Sequence, residues 1–152
     1  MPRIVREAEV AWEGTVARGS GVVSAASSGA FALPVTIASR VGDPEGKTSP
    51  EELLAAAHAT CFVTSLGSEL ARAGTPPERL DVHCLITMDE VEGVGHRIVS
   101  STITARGVVP GADAASFAQA AEAADAGCPF SALIKASATV SIEATLEEGA
   151  SR

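Results

Sequence analysis

Nucleophilic chemistry in this sequence has few possible carriers, and the three cysteines, Cys61, Cys84 and Cys128, come first. Cys128 stands in Ala126-Gly127-Cys128-Pro129, where Pro129 suits the first position of a helix. A thiol at a helix N-terminus feels the dipole and the free backbone amides, which favour the attacking thiolate. The same position also admits a plain structural thiol. Cys61 lies in Ala56-Ala57-His58-Ala59-Thr60-Cys61-Phe62, an apolar setting that suits a small core side chain as well as a shielded nucleophile. Cys84, between Val82 and Ile86 on the apolar side of a strand pattern, reads as structural. No Cys-x-x-Cys spacing joins any two of them, so a thiol pair would have to be made in space. His58, three positions before Cys61, raises a Cys-His pair or a metal site. A hydrolase would want an oxyanion hole to which no residue points, and zinc would lack a fourth ligand beside Cys61, His58 and Cys128. His58 is therefore read as a packing or hydrogen-bonding residue, and His83 and His96 as strand-surface side chains.

The elements that must hold these residues follow from patterning. Ala8, Val10 and Trp12 alternate with polar or small neighbours, Arg18-Gly19-Ser20-Gly21 marks a turn or bulge, and Val22-Val23-Ser24 and Val35-Thr36-Ile37-Ala38 are further short strands. Together they predict a three-stranded meander. After the loop Gly42 to Lys47, Ser49 is a natural N-cap, Pro50 suits the first helical position and Glu52 completes a capping box. The helix so opened runs to about Ala73, ends at Gly74-Thr75-Pro76-Pro77, and is apolar on several sides from Leu54 to Val63, which predicts central burial. Strands are expected over Leu80 to Met88, with Leu80, Val82, Cys84, Ile86 and Met88 on one face, and over His96 to Val109 and Ser137 to Glu147. An Ala-rich helix from about Asp113 to Ala126, with Gly127 as its C-cap, and a short helix from Pro129 separate the last two. The order predicts an α+β fold with antiparallel sheet in one globular domain.

With 46% hydrophobic but only 3% aromatic residues, the core must be built from Ala, Val, Ile and Leu. A formal charge of −8 repels a phosphate backbone and excludes nucleic acid as the natural partner. No run of about 20 apolar residues is read as a membrane span, and the charged first residues do not resemble a signal peptide, so a cytoplasmic location is expected. Three widely spaced cysteines do not form the disulfide framework of a secreted domain.

Taken in order, Trp12-Glu13-Gly14, Arg18-Gly19-Ser20-Gly21, Ser39-Arg40, Pro50-Glu51-Glu52-Leu53, Ala56-Ala57-His58-Ala59-Thr60-Cys61-Phe62 and Ala126-Gly127-Cys128-Pro129 with Ser131 and Leu133-Ile134-Lys135-Ala136 resemble the OsmC/Ohr family of thiol peroxidases, closer to its OsmC branch. Ser49 stands where that family commonly has Asn, and both residues cap helices well. The resemblance implies antiparallel sheets around a long central helix in an intertwined homodimer. It implies reduction of organic hydroperoxides, with Cys61 as the peroxidatic cysteine and Cys128 as the resolving one. It also implies Arg40, held by Glu51, as the cation at the site, with Arg18 as the runner-up. No bound cofactor is expected; an external dithiol, in the family typically a lipoyl group, would restore the thiols.

Glu51 and Cys61 are ten residues apart, about 15 Å along a helix axis, so they cannot readily meet within one helix. Two long helices packed antiparallel about a twofold axis would bring the start of one to the middle of the other, which predicts a site shared between subunits. The competing expectation is a non-catalytic relative, a small-ligand or stress-associated binding protein in which Cys61 only packs.

Overall fold

Alternating side chains and tight turns build the first element group. The computed structural model describes residues 2–148 and divides into two compact units, Met1–Leu53 and Leu54–Arg152, each taken by itself here. In the first unit, β1 (Glu9–Glu13), β2 (Ser20–Ser24) and β3 (Ala32–Val35) pair antiparallel in the order β1-β2-β3, the expected meander. Trp12 lies opposite Gly21. A Cβ at Gly21 would come within 2.7 Å of the Trp12 ring, so the indole can lie on the sheet only because that position is glycine.

The expected strand over Val35 to Ala38 stops at Val35, and α1 (Ile37–Val41) follows. The β-branched run suggested a strand, but Thr36 and Ser39 form a reciprocal capping box: Ser39 N–H donates to Thr36 Oγ1 at 3.0 Å, and Thr36 N–H donates to Ser39 Oγ at 3.1 Å. The helix so formed carries Arg40 in its last turn.

The long helix α2 (Pro50–Arg72) starts at the expected residue, with Glu52 N–H donating to Ser49 Oγ at 3.2 Å; the return half of the expected capping box is replaced, the Glu52 carboxylate accepting from Thr48 Oγ1 at 2.8 Å. Its end is set by Gly74 at φ +82°. By length and composition α2 is long and apolar enough to cross a membrane, although it is not an unbroken apolar run, since His58, Thr60, Thr64, Ser65 and Ser68 interrupt it. Its buried stripe, His58, Phe62, Leu66 and Leu70, recurs every fourth residue, and Phe62, Leu66 and Leu70 belong to the hydrophobic core of the second unit.

That core lies between α2, the sheet and α3 (Ala114–Gly127). β4 (Arg79–Val91) and β5 (Gly95–Val108) form an antiparallel hairpin, and β6 (Thr139–Glu147) completes the order β4-β5-β6. The α+β class and the long helix agree with expectation; the pairing of β6 does not, because it runs parallel to β5. Between the two strands the chain passes through α3 and α4 (Pro129–Lys135), and such a helical crossover returns it to the end where β5 began. Phe62, Leu66 and Leu70 meet Ile103, Ala105 and the α3 stripe Phe117, Ala120, Ala121 and Ala124. Gly127 differs from expectation too: it is the last helical residue and not a left-handed cap, and the chain turns at Cys128, φ −83° and ψ 115°.

Candidate active site

The second unit brings the two predicted redox cysteines together. Cys61 projects from the middle of α2, and Cys128 is both the last cap of α3 and the N-cap of α4. Their sulfurs are 3.2 Å apart and both thiols are free. A disulfide needs about 2.05 Å, so a small movement would close it. Ser131 N–H, in the first turn of α4, points at Cys128 Sγ from 3.5 Å. The expectation that Pro129 opens a helix and puts Cys128 at its N-terminus is met.

Burial comes first among the influences on Cys61 and pushes its thiol above the usual value; the neighbouring Cys128 pushes the same way, while the Phe130 amide and the Ser65 hydroxyl pull it down. The net direction is upward, toward thiol and away from the reactive thiolate. Cys84, on β4, is also raised by burial, partly offset by Ser101.

His58 is fully buried and hydrogen-bonded at both ring nitrogens, Nδ1 to Ser101 Oγ at 2.6 Å and Nε2 to Ser131 Oγ at 2.8 Å. Ser101 and Ser131 are themselves fully buried, and Cys84 Sγ lies 3.2 Å from Ser101 Oγ. Burial keeps the imidazole below its usual pKa; Asp125 acts against this and Lys135 with it. The expectation of a hydrogen-bonding His58 is met, whereas the roles of Ser101 and Ser131 were not foreseen. A lone His in an apolar run does require partners, but nothing in the one-dimensional pattern says which. Lys135 pairs with Asp125, tying the end of α4 to the end of α3 on either side of Cys128.

The first unit holds the predicted cation. Arg40, in the last turn of α1, grips Glu51, in the first turn of α2, as a fork: Nε to Oε1 at 2.9 Å and to Oε2 at 3.2 Å, and Nη2 to Oε1 at 2.7 Å. Burial by itself would raise the Glu51 carboxyl, but hydrogen bonding and charge from Arg40 bring it below the ordinary value. Hydrogen bonding to Glu51 raises Arg40 in turn. Arg18, the runner-up, sits exposed in the turn after β1, its amide bonded to Thr15 Oγ1 at 3.2 Å; the pair with Glu51 falls to Arg40. Beside this pair opens a cavity of about 460 Å³, lined by Val10, Trp12, Val35, Arg40, Pro50 and Leu53 among others, and almost wholly apolar. Among the described residues no group of three or more His, Cys, Asp or Glu side chains is arranged to hold a metal ion.

Residues 42–143 match the family model described as OsmC-like protein. The chain is 36% identical to Peroxiredoxin OsmC of Escherichia coli (strain K12) over 137 residues, covering 90% of this chain and 94% of that one. Its fold is similar to that of an organic hydroperoxide resistance protein from Elizabethkingia anophelis, with a TM-score of 0.75, 18% identity and coverage of 96% and 100%. The organic hydroperoxide resistance protein OhrB of Bacillus subtilis gives 0.72, 20% identity and coverage of 91% and 98%.

Proposed function

From the premise that this chain belongs to the OsmC-like protein family, whose relatives include a peroxiredoxin, we propose that it is a thiol peroxidase that reduces organic hydroperoxides, and hydrogen peroxide less readily. The observation that carries this reading is the 3.2 Å approach of two free cysteine sulfurs that lie far apart in sequence. Cys61 thiolate attacks one oxygen of ROOH; the O–O bond breaks, ROH leaves with a proton, and Cys61 becomes a sulfenic acid. Cys128 then attacks that sulfur, forming the Cys61–Cys128 disulfide and releasing water. An external dithiol, such as a lipoyl group, reduces the disulfide by exchange, so the protein itself needs no bound cofactor.

The upward push on the Cys61 thiol calls for a cation, and the Arg40–Glu51 fork supplies a held one. In this reading the protein works as a homodimer in which the partner subunit's Arg40 and Glu51 serve Cys61, two α2 helices packing antiparallel. Two observations favour it: only 22% of the apolar stretch of α2 is buried within the single chain, and Val10 and Trp12 are exposed in the first unit. The apolar cavity beside Arg40 suits the alkyl part of an organic peroxide, whose burial adds free energy that hydrogen peroxide cannot supply.

The test is single-turnover oxidation of the reduced protein by cumene hydroperoxide, with intact mass recorded for wild type, Cys61→Ser and Cys128→Ser. The expected result is a rapid disulfide in wild type, a trapped sulfenic or overoxidised Cys61 in Cys128→Ser, and no reaction in Cys61→Ser. Equal, slow reaction of wild type and Cys61→Ser would remove the peroxidase reading and leave a binding protein of the same fold.

A further inference from the structure

The buried polar cluster of His58, Ser101 and Ser131 is not used by the chemistry just described, yet two of its members, His58 and Ser131, are placed on the two segments that carry the sulfurs. α2 bears both His58 and Cys61, three residues apart and so on neighbouring positions of one helix face. The first turn of α4 bears both Cys128 and Ser131. The same two segments therefore meet twice, once through the sulfurs at 3.2 Å and once through His58 Nε2 and Ser131 Oγ at 2.8 Å. Within the α4 segment itself, the Ser131 amide also faces Cys128 Sγ, which couples the hydroxyl that meets His58 to the sulfur that meets Cys61. On the other side of the imidazole, Ser101 on β5 holds Nδ1 at 2.6 Å, so the ring cannot flip or slide without losing a buried partner.

A leucine or phenylalanine would fill this space without needing partners on two other elements. A fully buried histidine satisfied at both nitrogens fixes direction and separation instead, and removing one partner leaves a desolvated polar group behind. Resting on the peroxidase reading above, we propose that His58, bridged to Ser131 and anchored by Ser101, is a positioning residue for the resolving step: it holds the first turn of α4 against α2 so that Cys128 stays within reach of Cys61.

The consequence lies in a competition. Once Cys61 is a sulfenic acid, Cys128 can displace hydroxide from it, forming the S–S bond and releasing water as the Cys128 proton joins the leaving oxygen. Alternatively a second ROOH oxidises the sulfenic acid to sulfinic acid and leaves as ROH. The first route depends on how often the sulfurs are close, and the second on peroxide concentration alone. A looser bracket shifts the outcome toward sulfinic acid while the initial attack by Cys61 is spared.

The experiment follows wild type, Ser131→Ala, His58→Gln and Phe117→Leu through a series of cumene hydroperoxide concentrations. It measures both the rate of Cys61 oxidation and the fraction ending as disulfide or sulfinate by intact mass. Ser131→Ala should oxidise at close to the wild-type rate but give about tenfold more sulfinate per turnover at equal peroxide. His58→Gln, whose amide keeps one donor and one acceptor, should fall between the two. Phe117→Leu, a core change away from the bracket, should lower Tm and leave the partition at the wild-type ratio. Wild-type partition in Ser131→Ala, or an equal shift in Phe117→Leu, would overturn the positioning role while leaving the peroxidase reading intact. Failure of wild type itself to form the Cys61–Cys128 disulfide would remove both.

Discussion

The two units of this chain hold their reactive groups in opposite electrostatic conditions. In the second, Cys61 is pushed toward its neutral thiol by burial and by Cys128, and the groups that act on it, a serine hydroxyl, a backbone amide and another thiol, are uncharged. In the first, Arg40 and Glu51 each stabilise the charged form of the other through a forked hydrogen bond at the edge of an apolar cavity. Bringing two sulfurs close and making one of them a reactive thiolate are therefore separate achievements. The sulfurs approach to 3.2 Å in the second unit, whereas the paired cation that the proposed mechanism assigns to thiolate formation lies in the first.

The change that breaks this comparison most completely is Cys61→Ser, which should reduce hydroperoxide turnover by at least about a thousandfold, because a serine hydroxyl is far less ionised and less nucleophilic than a thiol. Steady-state peroxide consumption with a dithiol reductant measures it. Arg40→Met should come next, lowering turnover about a hundredfold through loss of the preorganised cation. Its thermal unfolding should stay close to wild type, since Arg40 is exposed on 38% of its side-chain surface. If the thiolate needs no cation, this variant will retain its rate and the division of labour between the units is mistaken. Glu51→Gln, which leaves Arg40 charged but less firmly held, should cost about tenfold.

Stability sharpens the contrast from the other side. Phe62→Ala, in the fully buried core of the second unit, should destabilise the protein by about 3–5 kcal/mol in denaturant unfolding. The exposed pair Arg72–Glu69 should matter little, and Arg72→Ala should stay within ~0.5 kcal/mol.

A smaller, signed effect comes from His58. Its folded-state pKa lies below the ordinary 6.5, so between that lower value and 6.5 the unfolded chain binds more protons than the folded one. The stability His58 contributes as a neutral group is therefore complete above about pH 6.5 and declines as pH falls through its folded value. Unfolding measured across that range for wild type and His58→Gln should show the extra slope only in wild type, and equal slopes would contradict a neutral buried His58.

Much of the architecture was legible along the chain because local rules set it. Ser49, Pro50 and Glu52 announced α2, the alternation from Leu80 to Met88 announced β4, and Gly127-Cys128-Pro129 announced the break between α3 and α4. Besides the Gly127 cap, two readings failed for identifiable reasons. Val35 to Ala38 looked like a strand until the Thr36–Ser39 box made a helix of it, a case of capping chemistry outweighing β-propensity. The direction of β6 was misjudged because a strand's own sequence does not record which way its neighbour runs; the helices between β5 and β6 decide that.

By itself, then, the sequence determined most of the element types, the apolar faces, the acidic net charge and the short roster of residues able to do thiol or charge chemistry, since each depends on composition or on neighbours within a few positions. Only tertiary structure decided that Cys61 and Cys128 come within 3.2 Å, that Glu51 falls to Arg40 and not to Arg18, and that His58 spans Ser101 and Ser131. Those relations join residues 11 to 73 positions apart. Their distances are fixed by how helices and strands pack, and packing sums small contacts over a whole core that no single segment contains.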